Sequence, residues 1–287
     1  MLSDFPIRKL NLDEIPPELL EIPEAPKELY IRGNLPQREV VFLSVVGSRK
    51  YTPYGKEACR KLIEGLQGYN ICIVSGLALG IDTIAHEAAL SAGIKTVAIP
   101  GSGLSESVLY PKTNISLAKR ILEAGGALLS ELREDESAAP WTFPRRNRIM
   151  AGLSKAILVI EAEKISGTLI TARLATEYNR DVLAVPGSIF SSTSEGPLGL
   201  IRLGATPISS SEDILDALQI VPTQKTDRNL EILSEEERKI VTALTSPLGR
   251  EELLEALGTD VQTLGINLTL LEIKNIIQEV GGKIYLK

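Results

Sequence analysis

The chain has 287 residues, 44% hydrophobic and 24% charged, with a net charge of −6 and two cysteines, Cys59 and Cys72. That length can bury a full core and fits one large domain or a large and a small one, while two cysteines make a disulfide framework implausible and fit a reducing compartment. No apolar run approaches the roughly 18 residues of a membrane span, and the acidic start (Asp4, Asp13, Glu14, Glu18) lacks the apolar stretch of a signal peptide, so a cytoplasmic protein without membrane insertion is expected.

In chain order, residues 1–36 are broken by Pro6, Pro16, Pro17, Pro23, Pro26 and Pro36, yet Leu19, Ile22, Leu29, Tyr30 and Ile31 are apolar enough to pack. They read as an extended leader lying against the core. Residues 37–220 alternate short β-branched runs with helix-length amphipathic stretches. The runs are Val40–Val46, Ile71–Val74, Thr96–Pro100, Ala127–Leu129, Ala156–Ile160, Val182–Val185 and Ala205–Ile208. Between them Pro53–Leu66, Ile81–Ala92, Asn114–Ala124, Arg146–Leu153 and Thr168–Tyr178 read as helices. The order predicts an α/β fold with a doubly wound parallel sheet covered on both faces. Residues 221–230 are polar and contain Pro222, as a linker would. In 231–287, three helical stretches (Glu235–Leu244, Arg250–Leu257, Val261–Glu272) precede Gly281-Gly282 between two apolar runs, the pattern of a small winged-helix domain. Residues 41–218 hold 18 basic and 18 acidic groups, and 231–287 hold 6 and 10, so any polyanion site must be a local cluster of cations.

In an open parallel sheet, ligands bind beyond the carboxyl ends of the strands. Here those loops read Gly47-Ser48-Arg49, Ser75-Gly76, Pro100-Gly101-Ser102-Gly103, Ser130-Glu131, Ser166-Gly167-Thr168 and Pro186-Gly187-Ser188. Any single loop needs Gly and Ser merely to turn. Six together favour a phosphate-bearing ligand, because glycine admits close approach and capped helix N-termini attract anions. The standard nucleotide signatures fail: Gly101-Ser102-Gly103 ends in Glu106 where a dinucleotide fingerprint needs glycine, and no P-loop is present.

Catalytic constellations are thin. One histidine and two cysteines do not make a Cys/His zinc site. His86, four residues after Asp82, lacks a G-x-S-x-G partner and reads as a structural histidine. Glu131 and Glu161 end strands at the ligand edge, where they could act as an acid–base pair or simply cap loops and pair with arginines. No catalytic residue, cofactor or metal is expected.

The most specific stretch is Phe143-Pro144-Arg145-Arg146-Asn147-Arg148-Ile149-Met150-Ala151-Gly152-Leu153-Ser154. Arg145 and Arg148 share a helical face at i, i+3, while Arg146 points elsewhere. Arginines at a helix N-terminus oppose its macrodipole unless an anion compensates. Trp141 and Phe143 beside them offer stacking surfaces.

At these residues the sequence resembles the DNA-processing protein A family, also called Smf. The resemblance is carried by Gly47-Ser48-Arg49, by Ser75-Gly76-Leu77-Ala78-Leu79-Gly80-Ile81-Asp82, by the Phe143–Ser154 run, by Ser166–Ala172 and by Pro186-Gly187-Ser188. It implies an extended Rossmann fold that binds single-stranded DNA, protects incoming strands in natural transformation and helps load the RecA recombinase, usually as a homodimer and commonly with a C-terminal winged helix. It implies contacts from Ser48, Arg49, Phe143, Arg145, Asn147 and Arg148. With the loop reading, the candidate single-strand site is Gly47, Ser48, Arg49, Ser75, Gly76, Gly101, Phe143, Arg145, Asn147, Arg148, Ser166, Gly167 and Thr168. The alternative is a nucleotide-binding Rossmann-like enzyme such as a nucleoside monophosphate phosphoribohydrolase. Those enzymes use a Pro-Gly-Gly-x-Gly-Thr-x-x-Glu loop, and neither Pro100–Gly103 nor Ser166–Thr168 supplies the Glu.

Overall fold

The computed structural model describes residues 2–36, 40–220, 233–244, 248–274, 276–280 and 282–286. The chain divides into two compact units, Met1–Thr223 and Gln224–Lys287. The expected linker at 221–230 lies outside the described residues.

In the first unit the strands are β1 (Arg8–Lys9), β2 (Tyr30–Gly33), β3 (Val41–Val46), β4 (Ile71–Ser75), β5 (Thr96–Ala98), β6 (Ala127–Ser130), β7 (Ala156–Val159), β8 (Asp181–Ala184) and β9 (Thr206–Pro207). The helices are α1 (Pro17–Leu20), α2 (Pro53–Glu64), α3 (Ile81–Ser91), α4 (Ile115–Glu123), α5 (Thr142–Leu153), α6 (Gly167–Glu177), α7 (Glu195–Arg202) and α8 (Ser211–Ala217). One sheet runs in the order β1-β2-β6-β5-β4-β3-β7-β8-β9, parallel from β6 to β9. All seven strands expected between residues 40 and 208 are present.

Both faces of the sheet are covered, as the unbroken apolar runs require. Along β3, Leu43 and Val45 pack with α2, α3 and α8 residues, while Phe42 and Val46 pack with α1, α5 and α6 residues. Ser44 is the buried polar exception: its hydroxyl donates to the Met150 carbonyl (3.2 Å) and lies 2.8 Å from the Ser154 Oγ, pinning the end of α5 to the central strand.

The leader does more than lie against the core. β2 pairs antiparallel with β6, with Ile31 opposite Leu129, and β1 pairs antiparallel with β2. Leu19, Leu29 and Ile31 are fully buried, each worth roughly 1.5–3 kcal/mol. α1 sits on α5 where Gly152 leaves room: a Cβ there would come within 3.0 Å of Leu19 and 2.9 Å of Ile22. The alternation in the leader is too short and too broken by proline for sequence patterning to reveal strands.

Helix α5 also departs from the sequence expectation. It begins at Thr142, four residues before the expected start. Arg145 therefore closes the first turn, while Arg146 and Arg148 lie beyond it, where opposition from the helix dipole has largely fallen away.

The second unit contains α9 (Glu235–Ala243), β10 (Leu248–Gly249), α10 (Arg250–Leu257), α11 (Val261–Ile273), β11 (Ile277–Val280) and β12 (Lys283–Leu286), with an antiparallel sheet ordered β10-β12-β11. Its own core joins Ile240, Leu253, Leu264, Leu268, Leu271, Ile277 and Ile284. Ser234 caps α9, and Glu237 closes the capping box while accepting from Lys274 at 2.7 Å. α11 leaves Val261, Ile266 and Leu270 exposed.

Candidate functional site

The chain lays down β3, β4, β5 and β6 toward one edge, then returns across β3 to place β7 on its other flank. Between β3 and β7 the strand order reverses, and the loops leaving their carboxyl ends part to form a crevice. A cleft of about 520 Å³ opens there. The β3–α2 loop contributes Gly47–Lys50, the β4–α3 region Ala78 and Asp82, the β7–α6 loop Glu163 and Ile165 to Thr168, and α5 contributes Phe143, Arg146, Asn147 and Met150. Those last four follow i, i+3, i+4, i+7 and so form one face of the helix.

The aromatic and the cations meet at one end. Phe143 is half-buried, with the Arg49 guanidinium carbon 5.4 Å from its ring centroid and Tyr110 edge-on at 5.9 Å. A Cβ on Gly101 would lie 2.6 Å from the Phe143 ring, so glycine there lets the ring settle onto the β5 loop. Arg49 is exposed, and among the described residues no carboxylate pairs with it. Arg146 donates to the Ile99 carbonyl (2.6 Å) and to the Asn147 side-chain oxygen (3.1 Å). Burial lowers its pKa from the ordinary value, the Asp82 carboxylate opposes that, and Arg49 adds to it. Asp82 is raised by burial, against the pull of Arg146 and of the amides of Ala78 and Gly76. Opposite, Ser166 caps α6 by accepting from the Thr168 amide (3.2 Å), and the Thr168 hydroxyl donates to the Gly47 carbonyl (3.2 Å). The α6 N-terminus thus faces the cleft, and a Cβ at Gly167 would meet nothing within 4 Å. Three cations and two carboxylates, Asp82 and Glu163, line the walls.

Of the candidate residues, the structure brings Gly47, Ser48, Arg49, Phe143, Asn147, Ser166, Gly167 and Thr168 to this cleft. It places the others elsewhere. Ser75 is fully buried and donates to the Val45 carbonyl (2.7 Å), and the Gly76 amide is taken by Asp82 (3.1 Å). Gly101 supports Phe143 from behind. Arg145 and Arg148 do share a face, but that face turns to Glu131: Arg145 Nε lies 2.8 Å from one carboxylate oxygen, and the buried Arg148 donates to the other and to the Glu24 carbonyl of the leader. Arg146, which the sequence reading set aside, is the α5 arginine that lines the cleft. The overlooked signal was its i+3 spacing from Phe143.

The candidate catalytic groups take structural positions. Glu161 accepts from the Thr52 amide (2.9 Å), the Thr52 hydroxyl (2.6 Å) and the Thr193 hydroxyl (3.0 Å). His86 is fully buried, with Nδ1 2.7 Å from the Thr96 hydroxyl; burial, then the charge of Arg146, lowers its pKa to about 3. Cys59 and Cys72 are buried and pushed well above the ordinary thiol range. Among the described residues no group of His, Cys, Asp and Glu could hold a metal ion, and no helix is long and apolar enough to cross a membrane.

The family model of DNA recombination-mediator protein A matches residues 8–219. The chain belongs to this family. It is 44% identical to Protein Smf of Escherichia coli over 204 residues, 71% of this chain but only 54% of that protein's length. It is also 44% identical to DNA processing protein DprA of Streptococcus pneumoniae over 214 residues, 74% of this chain and 73% of that one. Among solved structures, the S. pneumoniae DprA crystal structure superposes with a TM-score of 0.68 at 42% identity, covering 75% of each chain. The Helicobacter pylori DprA structure, described for its single-stranded DNA binding mode, gives 0.67 at 30% identity, covering 76% of this chain and 98% of that one. The family match spans the first unit and its cleft, and the α/β sheet expected from the alternating pattern is the fold of these DprA structures.

Proposed function

We propose that this protein binds single-stranded DNA in the cleft between β3 and β7 and acts in DNA processing. The observation that carries the reading is Arg49, with no carboxylate partner among the described residues and stacked over Phe143 at the switch in strand order, with Arg146 and the α6 N-terminus beside it. Guanidinium groups and helix amides attract phosphate, and an aromatic ring accepts any base, which is the chemistry of single-strand binding with little sequence preference. The H. pylori relative's described single-strand binding supports it. The contacting residues in this reading are Gly47, Ser48, Arg49, Phe143, Arg146, Asn147, Ser166, Gly167 and Thr168. A mobility shift with single- and double-stranded oligonucleotides across a salt series tests it: single strands bind more tightly, and affinity falls as salt rises. Equal affinity for both forms sinks it.

The family resemblance extends the proposal to protection of recombining strands, transfer to the RecA recombinase, homodimer assembly and a cytoplasmic location. The second unit, in the order helix, strand, two helices and hairpin, is read as a winged helix. The protein works as a binder without catalysis: Glu131, Glu161 and His86 are committed to ion pairs, caps and core. Release of free base from nucleoside monophosphates would point instead to a phosphoribohydrolase.

A further inference from the structure

The same sheet edge carries a feature that the cleft does not use. The loop leaving β8 turns at Ser188, whose hydroxyl oxygen accepts from the Phe190 amide (3.2 Å) and whose carbonyl accepts from the Ser191 amide (3.0 Å). At its tip Ile189 is 79% exposed and Phe190 93% exposed. Tyr54, in the first turn of α2, is also exposed, and its hydroxyl donates to the Pro186 carbonyl at the base of that loop (2.6 Å). The Ser191 and Thr193 hydroxyls lie 2.9 Å apart, and Thr193 donates to Glu161, the same buried carboxylate that accepts from Thr52. One anchor therefore ties together the loops following β3, β7 and β8. A lone exposed apolar residue on a surface is ordinary. Here Tyr54 and the Ile189-Phe190 tip are held by linked, internally hydrogen-bonded segments at the same end of the sheet as the cleft.

We infer that Phe190 and Tyr54 make a second stacking platform for the same strand of DNA, reached as it leaves the cleft past Arg49 and Lys50; the inference rests on the cleft reading above. Tyr54 opens α2 four residues after Lys50 of the preceding loop, so phosphate-attracting charge lies close in the chain to an aromatic ring, the pairing that single-strand binders use. β8 lies two strand spacings from β3, about 10 Å, a span that a few nucleotides of a single strand cover. A strand filling the cleft thus needs only a short extension to meet Phe190. The rings offer π-faces without hydrogen-bond readout, so this subsite adds affinity and leaves sequence preference unchanged.

The test compares oligothymidylates of about 4 and about 20 nucleotides, spanning usual single-strand site sizes, on the full-length protein and on Phe190→Ala, whose exposure keeps folding out of play. The expected result is that the variant binds the long oligonucleotide about tenfold more weakly with an unchanged salt slope, while the short one binds as before. Phe190→Trp in a Trp141→Phe background should retain long-strand affinity, with indole fluorescence quenched by the long oligonucleotide only. Unchanged long-strand affinity in Phe190→Ala overturns the platform, as does a variant whose DNA binding is intact and whose self-association in sedimentation is lost, which would make this surface a seat for a second copy of the chain. Failure of the unaltered protein to bind either oligonucleotide removes the cleft reading itself, and the platform with it.

Discussion

Helix α5 presents arginine to two different surroundings within four residues. On one face Arg145 and Arg148 close on Glu131, and Arg148 also reaches the backbone of the leader. On the other face Arg146 joins Arg49 and Phe143 around open space, with a buried Asp82 behind it. The first face spends its charge inside the fold and fastens the leader to the sheet. The second leaves charge available to a ligand. Arginine density alone therefore says little about where a polyanion binds; the carboxylates opposite each face decide it.

The sharpest way to break this comparison is Arg148→Ala. It strips a largely shielded carboxylate of one partner; breaking a fully buried pair usually costs about 3–5 kcal/mol, and the cost here is at or below the lower figure because Glu131 is partly exposed and Arg145 still faces it. Denaturant unfolding should show that loss while the salt slope of DNA binding stays as it was. A reduced slope in a fully stable variant would move Arg148 to the ligand face.

Phe143→Leu should weaken single-strand binding by about 1–3 kcal/mol without changing the salt slope, the mark of lost stacking. If the melting temperature falls in step with affinity, Phe143 acts as packing for α5 rather than as a base platform.

His86 is fully buried and senses the charge of Arg146. The unfolded chain protonates this imidazole below its ordinary value near 6.5, whereas the folded site stays neutral down to about 3. Between those values the unfolded state binds the extra proton, so stability declines as pH falls, by up to about 1.4 kcal/mol per pH unit, and above that window His86 contributes no pH dependence. Melts of the unaltered protein and His86→Gln at pH 7 and at about pH 5 check this: the gap between them should narrow or reverse at the lower pH. An unchanged gap assigns the acid sensitivity to other groups.

Arg49→Ala and Arg146→Ala should each weaken binding alike on every sequence and reduce the magnitude of the salt slope by about 0.7, the value per phosphate on single strands. The smallest effect is expected from removing the second unit. Residues 231–287 carry 6 basic and 10 acidic groups, and α11, where a winged helix would place its recognition residues, has no Lys or Arg between Val261 and Ile273. A chain ending near residue 220 should hold single strands within a few-fold of full length, since the cleft cations are all in the first unit. Lost binding in a folded truncation would make the acidic unit a direct DNA contact.

Much of this fold was legible because parallel strands buried on both faces must be apolar throughout, and Val41–Val46, Ile71–Ser75 and Ala156–Val159 are nearly so. The leader's strands were not, since β1 has two residues and β2 four, too few for a period to show. The site was partly legible: glycine, serine and a basic run marked the right loops. Spacing also put Arg145 with Arg148, but it carries no information about which face meets Glu131, a residue just after β6 and earlier in the chain. Likewise Gly76 reads as a phosphate loop until its amide is seen donating to Asp82.

The sheet ends at both sides in strands of two residues, Arg8–Lys9 and Thr206–Pro207. Neither end is a template for strand addition: one carries two cations, and the other includes a proline with no amide hydrogen to offer. Where two copies of this unit come close, their sheets therefore cannot join edge to edge. Any contact between such edges runs through side chains and loops, not through a continuing backbone ladder.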